Sequence, residues 1–131
     1  MRFMIIVHAT AETDANKTLA DIDPQVMAAM DDYHQQLAQA GVLLDAGGLR
    51  PSRDGWRVRY RAGKPRVIDG PFAEVKELIA GYTLIQVSSR EAALEWSRRF
   101  PSPFGGDDCE VEVRQLYEQD DFAPGVAPGS H

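Results

Sequence analysis

The sequence predicts a single α+β domain, and three observations carry that prediction. Short β-type runs alternate with two helical patterns in the order strand, helix, strands, helix, strand. The helical stretches each carry one apolar stripe, which suits a helix lying on a sheet. The 131 residues, 44% hydrophobic and 26% charged, are enough for one core and can bury roughly two-thirds of the surface their unfolded form exposes.

Residues 2 to 8 are β-branched and apolar on both alternations, Phe3, Ile5 and Val7 on one side and Met4 and Ile6 on the other. They read as a strand buried on both faces. Asp23-Pro24 supplies an N-cap and a first-turn proline for a helix running to about Gln39, with Gly41 as its stop. Val26, Met30, Tyr33, Leu37 and Ala40 form its stripe, and His34 is expected at the edge of that stripe.

Val42 to Leu49 reads as a second strand. Asp54-Gly55 signals a turn before Trp56 to Arg61, and Ala62-Gly63 turns the chain into Lys64 to Ile68. Ala80 to Val87 is a further strand. Ser88 with Glu91 three positions on has the capping-box spacing, opening a helix that aligns Ala92, Trp96 and Phe100 before Pro101 ends it. Cys109 to Leu116 alternates as a last strand, with Cys109 expected in the core. The chain from residue 119 on is rich in Pro, Gly and Asp and reads as a surface tail after a domain spanning 1–118.

This order is a ferredoxin-like layout with an inserted β-hairpin. Two helices cover one face of such a sheet, yet the first strand is apolar on both. The economical cover for the second face is another copy of the sheet, giving a two-fold homodimer closed as a dimeric α+β barrel.

The formal charge of -6 argues against a large basic surface, so neither direct nucleic-acid binding nor an anionic membrane is expected. The apolar run Phe3 to Val7 is too short for a signal-peptide core or a membrane span. With one cysteine, a cytoplasmic location is expected. Three scattered histidines and that cysteine give no metal-ligand spacing, Gly47-Gly48 lacks the context of a phosphate loop, and no nucleophile elbow is present. No metal or cofactor is expected.

Asp69-Gly70-Pro71-Phe72-Ala73-Glu74-Val75-Lys76-Glu77, followed by Gly81-Tyr82, resembles the signature of the YCII-related family in the branch named after the sequence DGPF. Val75 stands where the usual wording has Thr. The resemblance extends through the opening strand, Ala40 to Leu43, Gly47 to Leu49, Glu95-Trp96 and Glu112 to Arg114. It implies the dimeric α+β barrel. Some relatives are thought to be small-molecule enzymes, and some are encoded beside extracytoplasmic-function sigma factors, so the resemblance implies either an enzyme or a regulatory binding module that acts with such a factor. Better-studied relatives pair a His near the start of the first helix with an Asp. That stretch here reads Asp23-Pro24-Gln25-Val26, so the pairing does not carry over.

Within the signature, Gly70-Pro71 makes a rigid turn and Phe72 is expected to plug the core. Asp69, Glu74, Lys76 and Glu77 crowd acids and a base into one span. They read either as general acid–base groups with Lys76 neutralising an anion, or as a turn cap and a solvated face. His8, at the end of the first strand, has the titration range for proton transfer. Tyr82 offers a phenol to a ligand or else packs in an interface. The candidate catalytic set is therefore His8, Asp69, Glu74 and Lys76, with Tyr82 and Glu77 as ligand contacts for a small molecule. Arg57, Arg59 and Arg61 share a strand face opposite Trp56, Val58 and Tyr60. They read as an anion rail or as a solvated face offset by Glu110 and Glu112.

Overall fold

The computed structural model describes residues 1–10, 14, 23–72, 78–103 and 109–122. Among the described residues, six strands and two helices follow in the order β1 (Arg2–His8), α1 (Pro24–Gln39), β2 (Leu43–Gly48), β3 (Trp56–Arg61), β4 (Lys64–Asp69), β5 (Ile79–Gln86), α2 (Arg90–Arg98) and β6 (Val111–Gln115). The fold is α+β with antiparallel sheets. β2, β5, β1 and β6 form a four-stranded sheet in that spatial order, while β3 and β4 form a separate two-stranded sheet. This arrangement is compatible with the expected ferredoxin-like layout and its inserted hairpin.

The strand alternation decides where the core sits. Phe3, Ile5 and Val7 of β1 and Thr83 and Ile85 of β5 point to the helix side and are buried, joined by Tyr33 and Leu37 of α1 and Ala93 of α2. The opposite residues, Met4, Ile6, Tyr82 and Leu84, are only half-buried. The expectation that β1 is buried on both faces therefore holds for one face within the single chain, because both helices lie on the same side.

Helix α1 starts as its sequence predicts. The Asp23 carboxylate accepts the Gln25 backbone N–H at 2.8 Å, and Pro24 occupies the first turn. Beyond the helix, Gly41 takes φ +74°, the left-handed geometry in which a glycine meets no Cβ penalty. Tyr33 sits between the helices, its hydroxyl donating to the Trp96 carbonyl at 2.7 Å and its ring edge-on to Trp96 and Phe100. The β3–β4 hairpin turns through Ala62 and Gly63, both with positive φ, which matches the twist of the flanking strands.

Several expectations are corrected. The cap of α2 is Ser89 rather than Ser88: its side chain accepts the Ala92 N–H at 3.1 Å, which leaves Glu91 in the first turn and not at the capping-box position. Cys109 is exposed, with its Sγ 3.6 Å from Ser102 Oγ, because β6 begins two residues later at Val111. His34 is not peripheral. Its Nδ1–H donates to the Met30 carbonyl at 2.9 Å, so its Nε2 accepts from the buried Thr83 hydroxyl at 2.8 Å, tying α1 to β5. Ala40, placed on the α1 stripe, is exposed.

The first residues of the predicted tail have structure. Gln119–Asp121 forms a 3₁₀ turn with a reciprocal cap between Glu118 and Asp121, and the Tyr117 and Phe122 rings meet at 5.8 Å. Residues 123–131 lie outside the described residues. No described helix is long and apolar enough to cross a membrane.

Candidate functional site

The signature begins where β4 ends, and its first half is held by a 3₁₀ turn at Ser52–Asp54. Gly70 donates its N–H to the Gly55 carbonyl at 3.0 Å, and the Phe72 N–H donates to Ser52 Oγ at 3.1 Å. Asp14 approaches the same serine, its carboxylate accepting from the Ser52 N–H at 2.8 Å and from the Ser52 hydroxyl at 2.5 Å. Ser52 is thus donor to one segment and acceptor for another, which a small hydroxyl can satisfy at once. The Gly70–Pro71 peptide is cis.

Phe72 does not plug the core. It is half-buried, and the Arg57 guanidinium lies 3.9 Å from its ring centroid. The reason is that β3–β4 forms its own sheet, so the turn following β4 opens onto a crevice rather than onto the main core. That crevice has a volume of about 370 Å³. Asp14, Arg50, Ser52, Asp54 and Arg57 give it a polar side, and Leu49, Phe72, Leu78 and Ile79 an apolar one. Arg50 Nε reaches Asp54 at 3.1 Å along its rim. A mixed wall of this kind can hold a small molecule by an apolar body and orient it by polar groups.

The sequence-derived candidates fall into three places. His8 lies at the end of β1, opposite Ile79, and the next residue, Ala9, donates its N–H to the Leu78 carbonyl, so the strand end adjoins the crevice wall. His8 Nε2 is 2.8 Å from Glu112 Oε1, and Arg114 reaches Glu112 Oε2 at 3.2 Å. The hydrogen bonds from His8 and then from Arg114 hold the Glu112 carboxyl below the usual glutamate range. With Glu112 ionised, the shared proton sits on Nε2, and a neutral His8 ring keeps Nδ1 as its acceptor.

Tyr82 lies on the free face of the four-stranded sheet. Its hydroxyl donates to Asp45 Oδ2 at 3.0 Å, and that hydrogen bond to the carboxylate raises the phenol above its ordinary pKa. The ring has room because its cross-strand partner is Gly47, where an added Cβ would come within 3.2 Å of it. Asp69 ends β4 opposite Trp56 and is exposed. None of His8, Asp69 and Tyr82 lines the crevice. Glu74, Lys76 and Glu77 lie outside the described residues, but Phe72 and Leu78, which flank that segment, both line the crevice.

The matching family model is the YCII-related domain, over residues 1–117. The chain belongs to this family. A relative from Rhizobium meliloti (strain 1021), an uncharacterised protein, is 36% identical over 108 residues, covering 81% of this chain and 82% of its own. Membership in the YCII-related family does not by itself assign a reaction.

Sequence reasoning missed Asp14, Ser52, Asp45 and Glu112 as partners. The Asp14–Ser52 contact spans 38 residues and has no local pattern. Glu112, read as an offset for the hairpin arginines, is engaged in the single chain by His8 and by Arg114 of β6.

Proposed function

We propose that this YCII-related protein is a small-molecule-binding homodimer of the DGPF branch, able to carry acid–base chemistry, with its ligand in the crevice beside the signature. The observation that carries this reading is the convergence of both flanks of the signature, Phe72 and Leu78, on one crevice of about 370 Å³ with a polar side built around Asp14 and Ser52. In this reading Glu74 and Lys76, on the stretch between those flanks, supply the acid–base groups and Glu77 contacts the ligand, while Asp69 and Tyr82, which do not line the crevice, are not part of this site.

His8 serves as the proton acceptor through Nδ1. The support is its Nε2–Glu112 hydrogen bond of 2.8 Å, since a carboxylate fixing one ring nitrogen orients the other for proton transfer. The half-buried face formed by Met4, Ile6, Tyr82 and Leu84 supports a sheet-to-sheet homodimer, the dimeric α+β barrel, because an apolar sheet face needs cover.

A thermal-shift screen of a metabolite library against the wild type, His8→Ala and Lys76→Ala tests the site. A ligand that stabilises the wild type and neither folded variant supports it, since selective binding to the native state raises the melting temperature. A ligand that stabilises all three equally overturns the placement. No ligand at all, together with retention of an extracytoplasmic-function sigma factor on the immobilised protein, would replace this reading by that of a regulatory binding module.

A further inference from the structure

One face of the β3–β4 ribbon is almost wholly cationic. Side chains alternate along a strand, so Arg57, Arg59 and Arg61 of β3 share that face with Lys64, Arg66 and Ile68 of β4. The register sets Arg57 opposite Ile68, Arg59 opposite Arg66 and Arg61 opposite Lys64. Like charges directly opposite each other repel, and here two successive cross-strand pairs do so.

The base and the far end of this face differ. At the base Arg57 and Ile68 are half-buried, and Arg57 lies over Phe72 and lines the crevice. Farther out Arg59, Arg61, Lys64 and Arg66 are all exposed, and among the described residues none of these four forms an ion pair. Directly opposed residues sit about 5 Å apart at their Cα atoms, and residues two apart on a strand about 7 Å. Four cations therefore occupy one compact patch, which continues through Arg57 into the crevice.

From this cluster and its continuity with the crevice, we infer that the crevice's ligand carries a phosphate chain, a diphosphate or triphosphate, that lies along the cationic face of the ribbon. Three of the four outer cations are guanidiniums, whose planar fork matches phosphate oxygens. A phosphate carries about −1.5 to −2 charges and three acceptor oxygens, whereas a carboxylate has a single charge and two oxygens. A short phosphate chain therefore answers four adjacent cations with the least bulk.

The acidic groups nearby set the direction and the size of this ligand. Both carboxylates of the crevice are engaged, Asp14 by Ser52 and Asp54 by Arg50, so the anionic end is turned out along the ribbon and not inward. The ribbon holds five of the fourteen basic residues and one of the twenty acidic ones, so the rest of the chain carries nine basic against nineteen acidic residues. An extended polyanion would have to lie against that acidic body, whereas a compact one stays on the ribbon. The inference rests on the crevice reading proposed above and names the class of its ligand.

Isothermal titration of the full chain with inorganic tripolyphosphate provides the test. One saturable site is expected, weakening as sodium chloride is added. Arg59→Ser/Arg66→Ser and Arg61→Ser/Lys64→Ser should each weaken it about tenfold or more, since each pair of substitutions removes two charge-assisted contacts. Arg90→Ser/Arg98→Ser removes two exposed cations from α2 and should change it less than threefold. Equal losses in all three variants would mean attraction by net charge alone and overturn the site.

Amide NMR spectra of the wild type need no variant. Tripolyphosphate should shift residues 57–66 and Phe72 more than α2, and shifts centred elsewhere overturn the placement. Citrate should bind more weakly, and tighter binding of citrate overturns the choice of phosphate. Retention by phosphatidylserine vesicles or by a single-stranded oligonucleotide, with no binding of tripolyphosphate, overturns the inference in favour of an extended polyanion. Absence of tripolyphosphate binding leaves the crevice reading to the His8→Ala and Lys76→Ala thermal shifts, which do not touch the ribbon. An uncharged ligand that those two variants lose would keep the crevice and overturn the phosphate chain.

Discussion

Gly70 lies against the backbone of Ser52 so closely that a Cβ on it would sit 1.8 Å from the Ser52 carbonyl oxygen. The neighbour is main chain, so no rotamer change relieves the overlap, and the turn at Ser52–Asp54 would have to move. Gly70→Ala is expected to destabilise the protein by about 1–3 kcal/mol, the usual cost of overpacking. Gly48→Ala, with nothing within 4 Å of its Cβ position, should be near neutral. Urea denaturation of both variants checks the contrast, and equal midpoints would show that the turn yields freely.

Ser52 joins Asp14 to the signature, so its hydroxyl should matter to more than one segment. Ser52→Ala removes the hydrogen bond to the Asp14 carboxylate and leaves the Phe72 N–H without its acceptor. A bond to a charged group is worth about 1.5–3 kcal/mol, so a loss of that order is expected. Asp14→Ala should cost a similar amount, and the double variant should cost clearly less than the sum, since both remove one contact. A thermodynamic cycle from urea titrations measures this, and full additivity would argue against the coupling.

Much of the architecture is legible because it rests on local period. The α1 stripe of Met30, Tyr33 and Leu37, the alternation of β1 and the Ala62-Gly63 turn are each written in consecutive residues. What is not legible depends on choices the pattern leaves open. Ser88 and Ser89 are both competent caps, and only the packing of Ala93 into the core selects the second. The Asp45–Tyr82 pair depends on a register shift between Leu43 and Asp45, which no strand pattern announces.

The crevice shows the same division. The residues of the signature could be singled out from sequence, but the groups that hold its first half, Asp14 and Ser52, arrive from distant segments. His34 and Thr83 are a further case: a polar pair inside an otherwise apolar contact, in which each hydrogen bond excuses the other's burial.

Acid should act through two glutamates on or beside β6. Hydrogen bonds from His8 and Arg114 hold the Glu112 carboxyl low, and hydrogen bonds from Arg2 do the same for Glu118, whose Oε1 lies 3.1 Å from Arg2 Nε. A carboxyl held below its unfolded value contributes stability that is complete above the ordinary glutamate pKa. That contribution is lost as the pH falls through the lowered folded values. Glu118→Gln should therefore be less stable than the wild type at pH 7, and the gap should close as the pH falls through those values. Urea midpoints across that range measure it, and a gap independent of pH would mean that Glu118 acts by packing alone.

Alkali should act through Tyr33. Burial between α1 and α2 pushes its phenol up to about 12 from the model-compound value of 10.0, with Arg99 opposing the shift. A raised folded pKa contributes stability that is fully present below the unfolded value and is lost as the pH rises through the folded one. The window therefore runs from pH 10 to about 12. In an ultraviolet titration of the four tyrosines, one phenol should ionise only near the top of that window or on unfolding, and it should be missing in Tyr33→Phe. The same substitution deletes the 2.7 Å hydrogen bond to Trp96 but leaves that carbonyl the Arg99 N–H at 3.2 Å, so at neutral pH it should cost only about 1 kcal/mol. If all four phenols ionise together near pH 10 in the folded protein, the helix–helix contact around Tyr33 is open to solvent and this account of the core fails.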